Sequence, residues 1–356
     1  MKPDALAARV EVSASALKHN VRALRTRLGP GRMIAAVLKA NAYGHGRDLV
    51  AGLVADQVDL LAAADPADAL ELTEIAPGRS LCLGPAYGSV LRECVRRDVQ
   101  VTVSDEHQLP DLPHGARVHV LVDTGLHRLG VAPARAADLV QAVREKGGKI
   151  EAAYCMVAGA DSGDWDSVAD EVRQLRDLEL GAPRIHTGGS SVTLERPDLA
   201  GDIGRTGLAM LGYHPRPEQR EMVNLEPSLR VVAPVLELRV VKAGEPVGYQ
   251  ARRIDRDTTV ATLAIGAGHG LHPQTDSRLA VEVNGSLCRY LCPPLLDYCL
   301  VDVTDAPGVS VGTEATVVGG RSGDPTSVAD LAERLGVMID HVLAPLAGSL
   351  PRVAVT

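Results

Sequence analysis

The residue with the clearest chemical potential is Lys39, which follows the apolar run from Ile34 to Leu38 and precedes two glycines, Gly44 and Gly46. A continuous apolar run of this kind predicts a buried strand. We therefore expect the lysine amine at its end to be desolvated, which suits it to nucleophilic attack on a carbonyl and formation of a Schiff base. The alternative is an ordinary lysine at a strand end, whose stem is covered while its amine reaches water.

Other polar residues close short apolar runs farther along the chain, among them Asp123, His186 and Arg205. These runs alternate with helix-like segments such as Ala67–Ile75, Ala134–Lys146 and Trp165–Leu178. The candidate strands are Ile34–Lys39, Val58–Ala63, Ser80–Leu83, Val101–Val103, Val118–Val122, Ile150–Cys155, Arg184–Thr187 and Asp202–Arg205. Eight such alternations predict an α/β fold with an N-terminal (β/α)8 TIM barrel, whose C-terminal mouth carries the chemistry. A doubly wound sheet is the alternative, but it usually needs fewer units.

The pattern changes after His214-Pro215-Arg216-Pro217, and strand-rich sequence begins near Leu229. We predict a barrel domain over residues 1–228, whose short first strand, Ala8–Val12, is also a candidate for the second domain. A mainly β C-terminal domain covers residues 229–356. Its candidate elements are the strands Val231–Glu237, Leu238–Val241, Thr258–Ile265, Ala280–Val283 and Leu300–Val303, and a helix over Ser327–Leu335 capped by its serine.

Composition narrows the classes of function. The 356 residues carry a formal net charge of −8 and contain no long basic run, which argues against a nucleic-acid partner. The sequence shows neither an apolar signal core nor a span of about 18 apolar residues, so we expect a soluble, cytoplasmic protein without a membrane segment. The six cysteines lack paired metal-ligand spacing, and we expect reduced thiols and no metal site.

The residues Lys39 to Gly46 (KANAYGHG) closely resemble the cofactor-lysine motif of the bacterial alanine racemases. Enzymes of that family use pyridoxal 5′-phosphate (PLP) and combine a barrel with a β domain. The resemblance implies that Lys39 binds PLP covalently and that Tyr43 contacts the cofactor phosphate.

Two further segments extend the resemblance. The segment Asp123–Val131 (DTGLHRLGV) is similar to the family's DTGMGRLG, whose arginine lies close to the cofactor and the substrate carboxylate. Arg128 inherits that role, for which a planar guanidinium is well suited. The segment His186–Ser191 (HTGGSS) resembles the family's HTANSA, which implies cofactor contacts by His186 and a phosphate contact by Ser190.

The segment Arg205–Gly212 (RTGLAMLG) resembles the family's RPGIALYG. The resemblance implies that Arg205 faces the pyridine nitrogen of PLP and that the amides of Gly207 and Leu208 hold its phosphate. Because an arginine does not readily give up its proton, the pyridine nitrogen stays unprotonated and the ring is a weaker electron sink.

The C-terminal part departs from the family pattern at the position of its second catalytic base. Residues Ile265–Leu271 (IGAGHGL) stand where the family has IGYADGY, so Ala267 replaces the tyrosine that the partner subunit supplies. His269 and His272 follow closely, and an imidazole titrates near neutrality. We therefore predict them as candidates for the missing acid or base, with solvated loop histidines as the alternative.

Other departures fall on the substrate and partner side of the resemblance. They are Leu121 for a lysine, Met156 for a histidine, Gly189 for an asparagine, Leu296 for a methionine and Ala354 for a tyrosine. The cofactor residues of the barrel are largely retained, so we interpret the losses as a change of reaction or substrate. We expect a homodimer with shared active sites.

Three functional hypotheses follow from this pattern. The first is a PLP-dependent amino-acid racemase or epimerase acting at Cα with an altered second base, whose substrate is larger than alanine. The second is one-base chemistry on the same scaffold, as in a decarboxylase or an aldolase-type lyase. The third is a non-catalytic PLP-binding protein.

Overall fold

The computed structural model describes residues 6–272, 279–321, 323–348 and 350–356. The chain divides into two compact units. The barrel unit consists of Ala16–Ala42 and Val50–Leu225, and the strand-rich unit contains the residues through Ser15, Tyr43–Leu49 and Glu226–Thr356. The first strand, β1 (Arg9–Ser13), thus groups with the strand-rich unit.

Eight parallel strands form the sheet of the barrel unit, in the order β8-β7-β6-β5-β4-β3-β2-β9. They are β2 (Met33–Val37), β3 (Leu60–Ala63), β4 (Ser80–Pro85), β5 (Gln100–Val103), β6 (Arg117–Leu121), β7 (Lys149–Tyr154), β8 (Ile185–His186) and β9 (Ile203–Thr206). Side chains of β2, β3, β4 and β9 pack into one apolar cluster that includes Val37, Leu60, Leu81 and Ile203. The predicted (β/α)8 barrel is therefore confirmed.

The short strand β8 meets β9 through hydrogen bonds around Asp202. The amide of Asp202 donates to the carbonyl of Ile185 at 2.6 Å, and the Asp202 carboxylate accepts from the amide of Ile185 at 2.7 Å. Gly201 precedes this junction with φ +79°, and a Cβ there would lie 2.3 Å from the Ile185 carbonyl oxygen. The approach of the two strands thus requires a glycine at position 201.

Between residues 6 and 200, seven right-handed α-helices connect or flank the strands. They are α1 (Ala14–Leu28), α2 (Arg47–Val54), α3 (Pro66–Glu71), α4 (Gly88–Arg96), α5 (Pro133–Glu145), α6 (Trp165–Asp177) and α7 (Ser190–Glu195). The apolar face of α1 is buried, since Leu17, Val21, Leu24 and Leu28 recur at helical spacing and are nearly inaccessible to water. The predicted helix Ala67–Ile75 is shorter, because after α3 the chain tightens into a 3₁₀ turn over Leu72–Glu74.

The strand-rich unit is organised around one long strand, β10 (Leu229–Val241). The remaining elements are β11 (Pro246–Val247), β12 (Arg252–Arg253), β13 (Thr258–Leu263), β14 (Ala280–Val283), β15 (Ser286–Arg289), β16 (Cys299–Asp302), β17 (Glu314–Val318), β18 (Arg352–Val355), α8 (Val328–Leu335) and α9 (Ile339–Leu343). β10 pairs with β1, β13 and β17, and β1 also pairs with β18. The two strands predicted over residues 231–241 are one strand with an irregular register between Val235 and Glu237. The predicted cap is confirmed, since the Ser327 hydroxyl accepts from the amide of Asp330.

Residues 6–272, 279–321, 323–348 and 350–356 contain neither a membrane-spanning helix nor a cluster of metal ligands. None of the helices in those ranges is long and apolar enough to cross a membrane. No group of three or more histidine, cysteine, aspartate and glutamate side chains there is placed to hold a metal ion. All six cysteines are buried and free.

We expect Gly201→Ala to destabilise the protein more than Gly29→Ala. Both glycines have positive φ, but a Cβ at position 29 would meet nothing within 4 Å. Gly29→Ala therefore isolates the backbone cost, about 1 kcal/mol, whereas Gly201→Ala adds overpacking at the junction of β8 and β9, about 1 to 3 kcal/mol further. Urea unfolding of both variants measures the difference, and equal losses would show that the junction tolerates a side chain.

Candidate active site

Lys39 lies just beyond the carboxyl end of β2 and begins an unusual turn. Leu38 is buried and donates its amide to the carbonyl of Ala62 at 2.7 Å. Residues 40–43 then all take left-handed backbone angles, with φ between 50° and 53°. A left-handed turn of non-glycine residues costs about 1–2 kcal/mol per residue, so its surroundings must stabilise it. This turn fixes the direction in which Lys39 leaves the barrel strand.

The expectation that Lys39 is buried is wrong for the single chain. Its side chain is exposed, because β2 ends at Val37 and Lys39 lies in the turn beyond the strand. Its placement at the C-terminal mouth of the barrel is the feature that remains. Tyr43, at the end of the same turn, is buried, and its carbonyl lies 3.1 Å from Nδ1 of His45.

Arg205 is the most constrained cation of the site. Its side chain on β9 is 3% exposed. Nη1 donates to Nδ1 and the carbonyl of His186, at 2.6 and 3.0 Å. Nη2 donates to the carbonyls of Cys155 and Thr187 and to the sulfur of Met156, at 2.8, 3.1 and 3.1 Å. None of these bonds uses Nε, so one fixed donor of this guanidinium is left for another acceptor.

The arginine sets the proton positions on a pair of buried histidines. Because a guanidinium only donates, Nδ1 of His186 accepts, and its proton lies on Nε2. Nε2 of His186 faces Nδ1 of His119 at 2.9 Å, and Nε2 of His119 faces Oε1 of Gln100 at 2.8 Å. Burial, assisted by nearby arginines, lowers the pKa of His119 to about 3 and that of His186 well below its ordinary value. Both rings are therefore neutral, and the bonds run in one direction from Arg205 to Gln100.

Tyr154, at the end of β7, supports this pair from one side. Its ring stacks on His186 with centroids 4.4 Å apart and an interplanar angle of 8°, and it lies 5.1 Å from the Arg205 guanidinium. Its hydroxyl is 2.9 Å from the hydroxyl of Thr102 and 3.0 Å from the carbonyl of Leu83, and burial raises its pKa to about 12. The tyrosine therefore acts as a neutral packing surface.

Sequence reasoning missed three members of this buried group: Gln100, His119 and Tyr154. The available signal was the presence of polar side chains within short, otherwise apolar barrel strands, where an unpaired polar group is costly. The identity of their partners is not encoded locally, because it depends on which strands are neighbours in the barrel.

The two segments predicted to bind phosphate meet at Ser190. Its hydroxyl accepts from the amides of Gly207 and Ala209, at 3.3 and 3.1 Å. The amide of Leu208, between them, donates to no acceptor within the described part of the chain. The Ser190 hydroxyl still has its own proton to donate. These donors together could hold an anion.

Arg128 lies on a loop whose ends are tied together. The amide of Asp123 donates to the carbonyl of Val131 at 3.0 Å, and the amide of Val131 donates to the carbonyl of Leu121 at 2.9 Å. Arg128 is exposed and makes no hydrogen bond or ion pair within the described ranges. A guanidinium that is free in this way can take a carboxylate ligand.

A buried carboxylate holds the base of this loop. Glu171, on α6, accepts from the hydroxyl of Thr124 and from the amide of Ala158, both at 3.0 Å. A Cβ at Gly125 would lie 3.0 Å from its carboxylate carbon. Leu121, where the resemblance places a lysine, is buried at the end of β6. Thus Glu171 supports the loop, while Leu121 offers Arg128 no polar contact.

The structure places the predicted histidines of the altered loop in the strand-rich unit. Ala267–His269 form a 3₁₀ turn, and the amide of Ala267 donates to the carbonyl of Leu295 at 2.8 Å. Nδ1 of His269 accepts from the amide of Gly266 at 3.1 Å, so the proton of the neutral ring lies on Nε2. His272 lines a small, largely apolar cavity together with Leu331.

Comparison with known proteins gives consistent matches over both units. Residues 12–215 match the family model of the alanine racemase N-terminal domain, and residues 228–354 match that of the C-terminal domain. The chain is 34% identical over 372 residues to the alanine racemase of Mycobacterium tuberculosis, covering 98% of this chain and 96% of that protein. It is 28% identical over 364 residues to alanine racemase 1 of Caldanaerobacter subterraneus, covering 97% and 94%.

Solved structures agree. The alanine racemase of Streptomyces coelicolor aligns with a TM-score of 0.90 and 27% identity, covering 98% of each chain. The alanine racemase of a D-cycloserine-producing Streptomyces lavendulae aligns with a TM-score of 0.89 and 27% identity, covering 99% of this chain and 97% of that one.

We expect His119→Gln to flatten the pH dependence of stability in mild acid. The folded protein keeps His119 neutral down to a pKa of about 3, whereas an unfolded histidine binds a proton near pH 6.5. Between these values the unfolded state binds more protons, so stability rises with pH, by about 1.4 kcal/mol per pH unit from this histidine. Urea unfolding between pH 4.5 and 6.0 should lose that slope in the variant.

The same pair of proteins between pH 7.5 and 8.5 provides the control. Neither state protonates this histidine there, so the difference in unfolding free energy should be constant. Parallel slopes in acid would contradict the assignment of His119 as a neutral buried ring.

Proposed function

We infer the function from the premise that this chain belongs to the alanine racemase family, whose members depend on PLP. We propose that it is a PLP-dependent amino-acid racemase or epimerase acting at Cα. The second base of this reaction differs from the family's tyrosine. The observation that carries the proposal is that the barrel keeps an organised set of cofactor donors while position 267 holds an alanine.

The barrel's hydrogen-bond donors fit PLP. The Nε–H of Arg205 suits the pyridine nitrogen, and the hydroxyl of Ser190 with the amide of Leu208 suits the phosphate. The Gly207 amide, which donates to the Ser190 hydroxyl, lies beside them. Tyr43 is the further phosphate contact that the motif implies. When bound, PLP supplies an electron sink for the electron pair left at Cα after a proton departs. Because Arg205 stays protonated, with its pKa lowered by burial from a very high value, it gives the cofactor a hydrogen bond and keeps its own proton.

Two barrel residues act on the substrate in this proposal. Arg128, whose guanidinium has no partner within the described ranges, binds the substrate carboxylate. Lys39, which holds the cofactor, takes or returns the Cα proton on one face. The two residues have different roles in this proposal. The arginine fixes the orientation of Cα, and the lysine transfers the proton.

The second face needs a different group, because alanine cannot carry a proton. Within the altered loop, His269 is one candidate, since its Nε2 is its protonated nitrogen and its Nδ1 is held by the Gly266 amide. His272 is the other, although the apolar lining of its cavity makes it the weaker one. We propose that a homodimer with shared sites brings this loop to the partner's barrel, and that the short side chains at Ala267, Gly268 and Ala354 admit a substrate larger than alanine. The cytoplasmic location expected from the sequence stays a prediction.

A second candidate function follows from the same alanine. If nothing replaces the missing base, the scaffold would perform one-base chemistry, as in a decarboxylase or an aldolase-type lyase. A non-catalytic PLP-binding protein is the outcome if Cα is never deprotonated.

We expect the purified protein to show a visible absorption band after addition of PLP, and Lys39→Ala to lack it. The band requires a covalent link between the cofactor and the lysine amine. Lys149→Ala is the matched control, since Lys149 starts β7 at the opposite end of the barrel. An identical band in Lys39→Ala would show that another amine binds the cofactor.

We also expect solvent deuterium to enter Cα of at least one amino acid, measured by mass spectrometry over a panel of L- and D-enantiomers. Appearance of the opposite enantiomer supports the racemase, whereas release of CO₂ or a carbonyl fragment supports the lyase. No exchange by a PLP-loaded, folded protein would indicate a binding protein. Faster conversion of alanine than of any larger amino acid would contradict the proposed substrate size.

A further inference from the structure

A histidine occupies a backbone position that normally favours glycine, directly before Arg128. His127 has φ +55°, in the left-handed region. The motif that this loop resembles has a glycine at the same place. Left-handed geometry costs an L-residue about 1–2 kcal/mol, although histidine tolerates it better than most. Because His127 is strained and lies next to a ligand-binding arginine, we expect the His127 side chain to have a function.

Asp123 holds His127 through both its backbone and its ring. Oδ1 of Asp123 accepts from the amide of His127 at 2.9 Å, and Oδ2 lies 3.2 Å from Nδ1 of the ring. Burial alone would raise the pKa of Asp123, but hydrogen bonds from His127 and Gly125 outweigh it and lower that pKa. The aspartate is therefore an ionised acceptor, which places a proton on Nδ1 of His127. Nε2 is therefore the ring nitrogen that is available for proton transfer, on a side chain that is 82% exposed.

The order of the barrel strands places this pair opposite Lys39. Lys39 lies just beyond β2, and the Asp123–His127 segment follows β6. In the sheet order, three strands lie between β2 and β6, so in an eight-stranded barrel the two lie on opposite sides. Lys39 and His127 each follow the carboxyl end of a strand, so they lie at the same mouth of the barrel. Racemisation needs two proton-transfer groups on opposite sides of Cα.

We propose that His127, oriented by Asp123, is the second acid–base residue of this site, supplied by the barrel itself. The inference rests on the proposed function. Arg128 is its neighbour in sequence, with Cα atoms about 3.8 Å apart, and the carboxylate that Arg128 binds is one bond from the substrate Cα. The ring and the guanidinium that orients the substrate therefore leave the loop at neighbouring positions.

The proton transfers balance without another reactant. The Lys39 amine takes the Cα proton on one face and becomes an ammonium, and Nε2–H of the His127 imidazolium gives a proton to the other face and leaves a neutral ring. Asp123 stays ionised throughout and stabilises the imidazolium. In the reverse reaction His127 takes the proton and Lys39 gives one. Solvent then restores both groups, so no net charge is left on the enzyme.

The test compares His127→Asn with wild type in the PLP-loaded protein. Asparagine accepts left-handed geometry and can still donate to Asp123, but it cannot transfer a proton. Using the amino acid that wild type exchanges, we expect deuterium entry to fall about 100-fold or more for one enantiomer and to persist for the other. Racemisation should be lost. The visible band should be unchanged, because Lys39 is intact.

Two variants serve as comparisons. His107→Asn is the matched control, since His107 is also exposed and its Nδ1 also bonds an aspartate, Asp105, two residues before it; both enantiomers should exchange as in wild type. His269→Asn tests the alternative base. A one-sided loss there, or equal exchange of both enantiomers by His127→Asn, would overturn the role of His127 and leave the proposed function standing. If wild type exchanges no amino acid, the proposed function fails first and this inference fails with it.

A second readout does not depend on activity. In the cofactor-free protein, ¹⁵N NMR of the histidine rings should show His127 with its proton on Nδ1, and Asp123→Asn should shift the ring toward the other tautomer. A proton on Nε2 in wild type, or no change in Asp123→Asn, would show that the aspartate does not orient the ring, and the proposal would be wrong.

Discussion

The buried guanidinium of Arg205 is the constraint on which the site depends. A cation that is nearly inaccessible to water is stable only when most of its N–H groups donate hydrogen bonds. The bonds of its two terminal nitrogens are made without a carboxylate, to carbonyls of residues that follow β7 and β8, to the sulfur of Met156 and to His186. The arginine thereby ties together the ends of three strands at the mouth of the barrel.

The same burial fixes the protonation of its surroundings. Desolvation, assisted by the charge of Arg205, keeps His186 and His119 neutral, and their hydrogen bonds run in one direction to Gln100. The Arg205 guanidinium is therefore held rigidly on one side of the mouth, and its Nε–H remains available to another acceptor. Lys39 and the Arg128 loop occupy other sides of the same mouth, so the candidate site residues are distributed over the ends of β2, β6 and β9.

The barrel unit and the strand-rich unit carry different parts of the proposed site. The barrel has several hydrogen-bond donors that have no acceptor within the described residues. They are the Ser190 hydroxyl, the Leu208 amide and the Nε–H of Arg205. The strand-rich unit carries Ala267, whose turn is held by backbone hydrogen bonds to the carbonyls of Leu295 and Leu296. In the proposed function, cofactor binding and the identity of the second base are thus separable properties. A barrel that supplies its own acid–base residue would remove the need for the family's tyrosine.

Sequence alone determined the barrel, the long helices and the segments that line its mouth, because hydrophobic periodicity and local turn residues act over a few positions. It did not reveal that Lys39 is exposed in a left-handed turn, that residues 229–241 form one strand, or that Gln100, His119 and His186 meet. Those features depend on which strands lie side by side, which only tertiary structure decides. The left-handed angle of His127 belongs to the same class, since the carboxylate of Asp123 and the closure of the loop by Val131 impose it. Spacing indicates which residues can react, and packing decides which of them face one another.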